Sequence, residues 1–139
     1  AVYRTRMAMA DGGELLILAP GVERFGEDPA IDALIRRYGY RGREAILAQA
    51  RERSDLRENL SAAAHLIHGS SDGRFRITYC TCRLSGDEVR GVGYDWISFD
   101  EAVRRFDPAR LRPGWNDLPD GPAYFIPNPA LGLWSARKL

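Results

Sequence analysis

The chain has 139 residues, 45% hydrophobic and 28% charged, with a formal net charge of +1. That length suits one domain able to bury a core without disulfides or metals, and the balanced charge excludes a bulk electrostatic pull toward nucleic acid or a membrane surface. No apolar run approaches the roughly 20 residues of a spanning helix, and the opening residues lack the apolar core of a secretory signal.

In chain order, a first helix is expected over residues 2–10, where Tyr3, Met7 and Ala10 share one face. Asp11-Gly12-Gly13 is a turn signal. Residues 15–19 are an unbroken apolar run, which suits a strand covered on both faces as in a parallel sheet. Pro20-Gly21 ends it. The loop over residues 21–27, which carries Arg24, then falls at the C-terminal end of a strand, where α/β folds place ligands. An ordinary solvated connection is the plainer explanation of so short a signal.

Asp28 followed by Pro29 is an N-cap with proline at the first helical position. Ile31, Leu34, Ile35 and Tyr38 form the apolar stripe of that helix, and Gly39 closes it. A second helix is expected over 43–53 with Ile46, Leu47 and Ala50 inward. A third starts at Ser54 or Asp55, where Asp55 and Glu58 have capping-box spacing, and runs unbroken to Gly69 with Leu56, Leu60, Ala63, Ala64 and Ile67 buried.

Residues 74–80 alternate as a strand, with Phe75, Ile77 and Tyr79 on one side. Ser85 with Glu88 opens a short helix that Gly91 and Gly93 end. A short strand over 94–97 and a helix capped by Ser98 and Glu101, with Phe99, Ala102, Val103 and Phe106 inward, follow. Residues 107–122, rich in proline and glycine, read as an irregular loop. A last strand over 123–126 precedes a segment, 130–134, that packs back or frays. The alternation of strand and helix predicts a single α/β domain, a mainly parallel sheet flanked by helices.

Four features bear on chemistry. His65 and His68 lie one turn apart with Ser61 on the same stripe, turned away from the apolar face. They read plainly as a surface residue and a helix-ending one, or as groups that contact a ligand or chelate a metal. Arg36, Arg37, Arg41 and Arg43 cluster at a helix join, either as a solvated face or to meet a phosphate or acidic surface. Trp115 and Trp134 fall in irregular segments, as core plugs or as half of an interface. Cys80 and Cys82, the only cysteines, are poorly placed for a mutual disulfide and supply two ligands of the four a zinc site needs. A reducing cytoplasm is the simplest setting. P-loop, dinucleotide fingerprint and paired-histidine zinc motif are all missing from the sequence.

The runs ADGGELLILAPGVERFGED (residues 10–28), DPAIDALIRRYGYRG (28–42), NLSAAAHLIHGSS (59–71) and NPALGLW (128–134) resemble the C-terminal domain of the nickel-dependent lactate racemase family over most of the chain. The resemblance implies two α/β domains closing over a cleft that holds a nickel pincer nucleotide attached to a lysine, with transient hydride transfer from a 2-hydroxy acid. It implies that the proton-moving histidines belong to the N-terminal domain, this chain's partner, and that the fragment alone is inert and holds no cofactor. The sequence opens with Ala1 and reads as a piece of a longer protein. The family lysine sits on the helix before the first strand. Here that helix has none, so the lysine precedes Ala1, or Arg6 or Met7 replaces it. The only lysine in the chain is Lys138. A cofactor-facing tryptophan at the start of the family's third helix corresponds here to Asn59. The resemblance therefore implies a cleft-facing set of Asn59, Ser61, His65, His68 and Arg24. A non-catalytic binding domain that has lost the pincer chemistry is the alternative, and a metal site built from His65, His68 and the cysteines is a third reading.

Overall fold

A computed structural model of the chain describes residues 2–129. The elements are α1 (Val2–Thr5), β1 (Glu14–Leu18), α2 (Pro29–Tyr38), α3 (Arg43–Glu52), α4 (Ser54–Glu58), α5 (Leu60–His68), β2 (Arg76–Cys80), α6 (Gly86–Gly91), β3 (Asp95–Trp96), α7 (Phe99–Arg105), β4 (Gly114–Leu118) and β5 (Gly121–Phe125). β1, β2 and β3 form a parallel sheet in that order, with Leu15 opposite Ile77, Ile17 opposite Tyr79 and Tyr79 opposite Trp96. β4 and β5 form a separate antiparallel hairpin. The expected α/β class, a parallel sheet flanked by helices, is what the chain adopts.

Both faces of the parallel sheet are covered, which explains the apolar run without alternation in β1. Leu15, Ile17, Ile77 and Tyr79 face the larger core, built on Ile31 and Ile35 of α2, Ile46 of α3, Leu56 of α4 and Leu66 of α5. Leu16, Leu18 and Cys80 face Ile97, just after β3, and Ala102 of α7. β1 is an edge strand, so its apolar residues are only half-buried, whereas Cys80 of the central β2 is sealed.

Helix starts follow the local chemistry where a side chain accepts an otherwise unpaired N–H. Asp28 Oδ1 accepts from the Ile31 N–H at 2.9 Å, and Gly39 ends α2 at φ +66°. The capping box of α6 is complete, with Ser85 Oγ accepting from the Glu88 N–H and Glu88 accepting from the Ser85 N–H. Ser98 Oγ accepts from Glu101 at the start of α7.

Five expectations are corrected. The first helix stops at Thr5 instead of residue 10. The Arg74 guanidinium takes the carbonyls of Arg6 and Met9, and the Gly12 N–H bonds the Arg74 carbonyl, so the chain leaves the helical path. Val2 and Thr5 are then the buried residues, while Tyr3 and Met7 are exposed. The third helix is two helices, broken at Asn59 (φ −117°, ψ 78°). The break shifts the buried face to Leu56, Ala62, Ala63 and Leu66, and leaves Leu60 and Ala64 exposed. Asp55 closes no capping box. Its carboxylate accepts instead from the Tyr38 hydroxyl and the Arg37 guanidinium, each at 2.6 Å, and fastens α4 to α2. Phe99, expected inward, is 43% exposed, because α7 meets the sheet through Ala102. Finally, residues 114–125, expected to be mostly loop, form the β4–β5 hairpin around Pro119-Asp120, with Trp115 opposite Tyr124. The expectation for residues 130–134, including Trp134, lies outside the described residues.

Candidate functional site

The loop after β1 is anchored at both ends. The Ala19 N–H bonds the Cys80 carbonyl and the Cys82 N–H bonds the Pro20 carbonyl, so the loop leaves the sheet alongside the end of β2. The Thr81 hydroxyl donates to the Val22 carbonyl at 2.6 Å, and Arg83 pairs with Glu23 at 3.2 Å. At the far end, Asp32 Oδ1 in the first turn of α2 accepts from the Phe25 N–H at 2.6 Å, and its other oxygen pairs with Arg36 at 2.6 Å. Burial raises the Asp32 pKa, but these hydrogen bonds outweigh it and hold the carboxyl below its usual value. Phe25 is buried under Arg36, whose guanidinium lies 5.2 Å from the ring centroid. Gly26 has no room for a side chain: a Cβ there would stand 2.5 Å from the Asp32 nitrogen. The loop is thus a built structure. Arg24 stands out from it, half-exposed, with Glu23 at 3.7 Å.

α5 runs back along the sheet to the turn before β2, so its start lies toward the edge that carries residues 19–28. Asn59 Oδ1 accepts from the Ala62 N–H at 3.0 Å. That side chain is the N-cap of α5 and is already in use. Ser61 is exposed beside it. His65, one turn on, is half-buried, with Nδ1 3.3 Å from the Tyr40 hydroxyl. Burial lowers its pKa, the Glu27 charge opposes that, and His65 stays below the usual histidine value. A neutral ring with its proton on Nε2 accepts the Tyr40 hydrogen. His68 lies at the other end of α5, exposed, its ring centroid 4.4 Å from that of Tyr3. Nearby, Arg6 donates to the Ile67 carbonyl and pairs with Asp72. The two histidines therefore face different surroundings. Asn59 and Ser61 sit at the start of α5, Arg24 on the separate loop after β1, His65 against Tyr40 and His68 at the end of α5 against Tyr3.

What the spacing did not reveal is the tyrosine cluster beneath His65. The Tyr40 and Tyr94 rings stack at 4.4 Å with 3° between their planes, and Tyr79 meets Tyr94 at 5.9 Å. The Tyr94 hydroxyl donates to the Gly69 carbonyl at 2.7 Å. Burial raises the pKa of all three, so they are neutral hydrogen-bonding groups at any ordinary pH. Only their separation in sequence hid them.

Of the arginine cluster, Arg36 is shared between Asp32 and Glu88, and Arg37 belongs to Asp55. Two of the four are thus joints between elements. Cys80 is buried and Cys82 exposed, and both are free thiols. Among the described residues, no group of three or more histidine, cysteine, aspartate or glutamate side chains is placed to hold a metal ion. The same residues contain no lysine, and at the positions that would replace one, Arg6 is ion-paired and Met7 is 71% exposed. Residues 2–129 therefore do not fit covalent attachment of a pincer nucleotide.

These observations define an α/β domain with a fixed loop and a helix start at one sheet edge. No family model matches the sequence, and no curated protein matches it. A crystal structure of a Thermotoga maritima protein, from the Northeast Structural Genomics Consortium, is similar over 80% of this chain with a TM-score of 0.55 and 24% identity. The match covers 28% of that chain. The likeness concerns the fold alone. No helix among the described residues is long and apolar enough to cross a membrane.

Proposed function

We propose that this chain is the C-terminal domain of a 2-hydroxy-acid racemase or epimerase of the lactate racemase type, forming one wall of a cleft that its own N-terminal domain closes. The reading rests on the family resemblance of its sequence runs. The structural observation that carries it is Leu60. This residue sits between Asn59 and Ser61 in the first turn of α5, inside the run that resembles the family, and is 72% exposed. Covering such a leucine with a second domain contributes about 1.5–3 kcal/mol. The Thermotoga maritima likeness, confined to 28% of a longer chain, agrees with a domain that works as part of a larger protein.

In this reading the domain positions and excludes water; it does not move protons. His65, half-buried, has its Nδ1 engaged by the Tyr40 hydroxyl, and in this reading it supports that tyrosine and does not face substrate. The exposed Ser61 hydroxyl and the Arg24 guanidinium are the groups suited to the hydroxyl and carboxylate of a 2-hydroxy acid. His68 faces the other edge and takes no part. The reactive cofactor and its lysine come from outside residues 2–129. Cytoplasmic residence agrees with the exposed free thiol of Cys82.

The test is deuterium exchange at C2 of lactate and longer 2-hydroxy acids, followed by NMR. The isolated chain should give none, the parent protein should give turnover, and Leu60→Asp in the parent should cut it at least tenfold. Turnover by the isolated chain would overturn the proposal. The second reading, a binding domain without pincer chemistry, takes Arg6 or Met7 as the replacement of the family lysine. An inactive parent that still binds a partner through the α5 edge would establish it.

A further inference from the structure

The face of the sheet opposite α5 carries a second feature. Between the end of α7, the chain that follows it, and the β4–β5 hairpin lies a cleft of about 620 Å³. Four arginines line it: Arg104 and Arg105 in the last turn of α7, and Arg110 and Arg112 in the connection. Two carboxylates, Asp107 and Asp117, line it as well. Asp107 is already engaged, its Oδ1 accepting from the Ala109 N–H at 3.0 Å. Arg105 pairs with Asp120 at 3.2 Å. Arg104, Arg110 and Arg112 have no ion-pair partner among the described residues.

Arginine in the last turn of a helix is explained by the helix dipole. That accounts for Arg104 and Arg105 but not for Arg110 and Arg112. The backbone carrying this second pair is held in place. The Arg110 and Leu111 N–H groups both bond the Asp107 carbonyl, at 3.0 and 3.2 Å. The Asn116 side chain, buried, accepts from the Arg112 N–H at 3.1 Å and donates to the carbonyls of Arg112 and Gly114 at 2.8 and 2.9 Å. A buried side chain that spends its hydrogen bonds on the loop's own backbone holds this connection in one conformation. A fixed backbone beneath arginines that line one cleft lowers the ordering cost of binding an anion, and the planar fork of arginine matches phosphate oxygens.

We propose that this cleft binds a small anion carrying two or more phosphate groups, as a free polyphosphate or as the phosphate tail of a nucleotide. A single phosphate leaves most of the cleft empty. A polycarboxylate carries less charge per group against the two aspartates. The site is on the other face of the sheet from the proposed substrate wall and does not depend on it.

The experiment is calorimetric titration of the chain with tripolyphosphate, ATP, AMP and citrate at low salt. Tripolyphosphate should bind, AMP and citrate at least tenfold more weakly. ATP binding at least tenfold tighter than tripolyphosphate assigns the site to a nucleotide; equal binding assigns it to polyphosphate. Arg110→Gln with Arg112→Gln should weaken binding at least tenfold, whereas Arg51→Gln with Arg53→Gln, the same loss of charge elsewhere, should leave it within twofold. Amide shifts in the wild-type chain should concentrate in residues 104–118, a readout independent of whether the variants fold. No tripolyphosphate binding at millimolar concentration, equal loss in both double variants, citrate binding as tight, or shifts elsewhere would each overturn the proposal.

Discussion

The two sheets of this chain are held by different means. The parallel sheet is sealed on both faces, by Ile35, Ile46, Leu56 and Leu66 on one side and by Ile97 and Ala102 on the other. The β4–β5 hairpin has a single buried residue, the polar Asn116, and presents Trp115 and Tyr124 to solvent as an edge-on pair at 5.4 Å. Apolar burial fixes the first, cross-strand pairing and a side-chain clamp the second. A sheet held by burial resists loss of any one polar contact. A hairpin held by its cross-strand ladder, and tied to the preceding connection by one side chain's three hydrogen bonds, depends on that side chain for its place beside residues 112–114.

That contrast can be broken from either side. The largest effect is expected at Leu66→Ala, a fully buried truncation in the α5 core, costing about 2–5 kcal/mol in urea unfolding. Next is Gly69→Ala. The new Cβ would stand 2.2 Å from a Tyr40 ring carbon, and the ring is pinned by its stack on Tyr94. Overpacking of this kind costs about 1–3 kcal/mol. Asn116→Ala should cost about 1–2 kcal/mol by orphaning the loop's backbone groups, with faster amide exchange confined to the hairpin and to residues 107–113. A global loss of protection would erase the distinction drawn between the sheets. Trp115→Ala, at a residue 66% exposed, should move the unfolding midpoint by less than about 1 kcal/mol.

The smallest effect is a pH dependence on the sheet side. The folded state keeps His65 unprotonated to a lower pH than the unfolded chain does. The unfolded chain therefore gains protons first as pH falls from about 6.5, and stability declines across that interval before levelling off. Asp32 adds a second decline at lower pH. Its folded pKa lies below 3.8, so its contribution is complete above that value and lost as pH falls through the folded one. His65→Gln should flatten the first decline and leave the second. A stability profile that does not change between wild type and this variant would contradict the buried environment assigned to His65.

The elements legible in the sequence were those whose cause is local. Asp28-Pro29, Ser85 with Glu88 and Ser98 with Glu101 each satisfy helix N–H groups within four residues, and each was placed correctly. The apolar run of β1 signalled a sheet covered on both faces. What was missed involves distant partners, Arg74 ending α1 across more than sixty residues and Asp55 drawn to α2, and a hairpin whose proline- and glycine-rich strands lack apolar alternation. For the candidate site, the stripe of Ser61, His65 and His68 follows from helical spacing, and Asn59 joins it only through the family resemblance. Spacing cannot say that Asn59 is a cap, or that Tyr40 comes from another helix's end to engage His65.

By itself, then, the sequence determined that this is an α/β chain with these helix starts and a covered parallel strand, because capping and apolar periodicity act over a few residues. Only the tertiary structure decided which side chains are already partnered, how the histidines divide between interior and surface, and where four arginines share a cleft. Those outcomes depend on what lies across a gap in space, and neighbours in space are not neighbours in the chain.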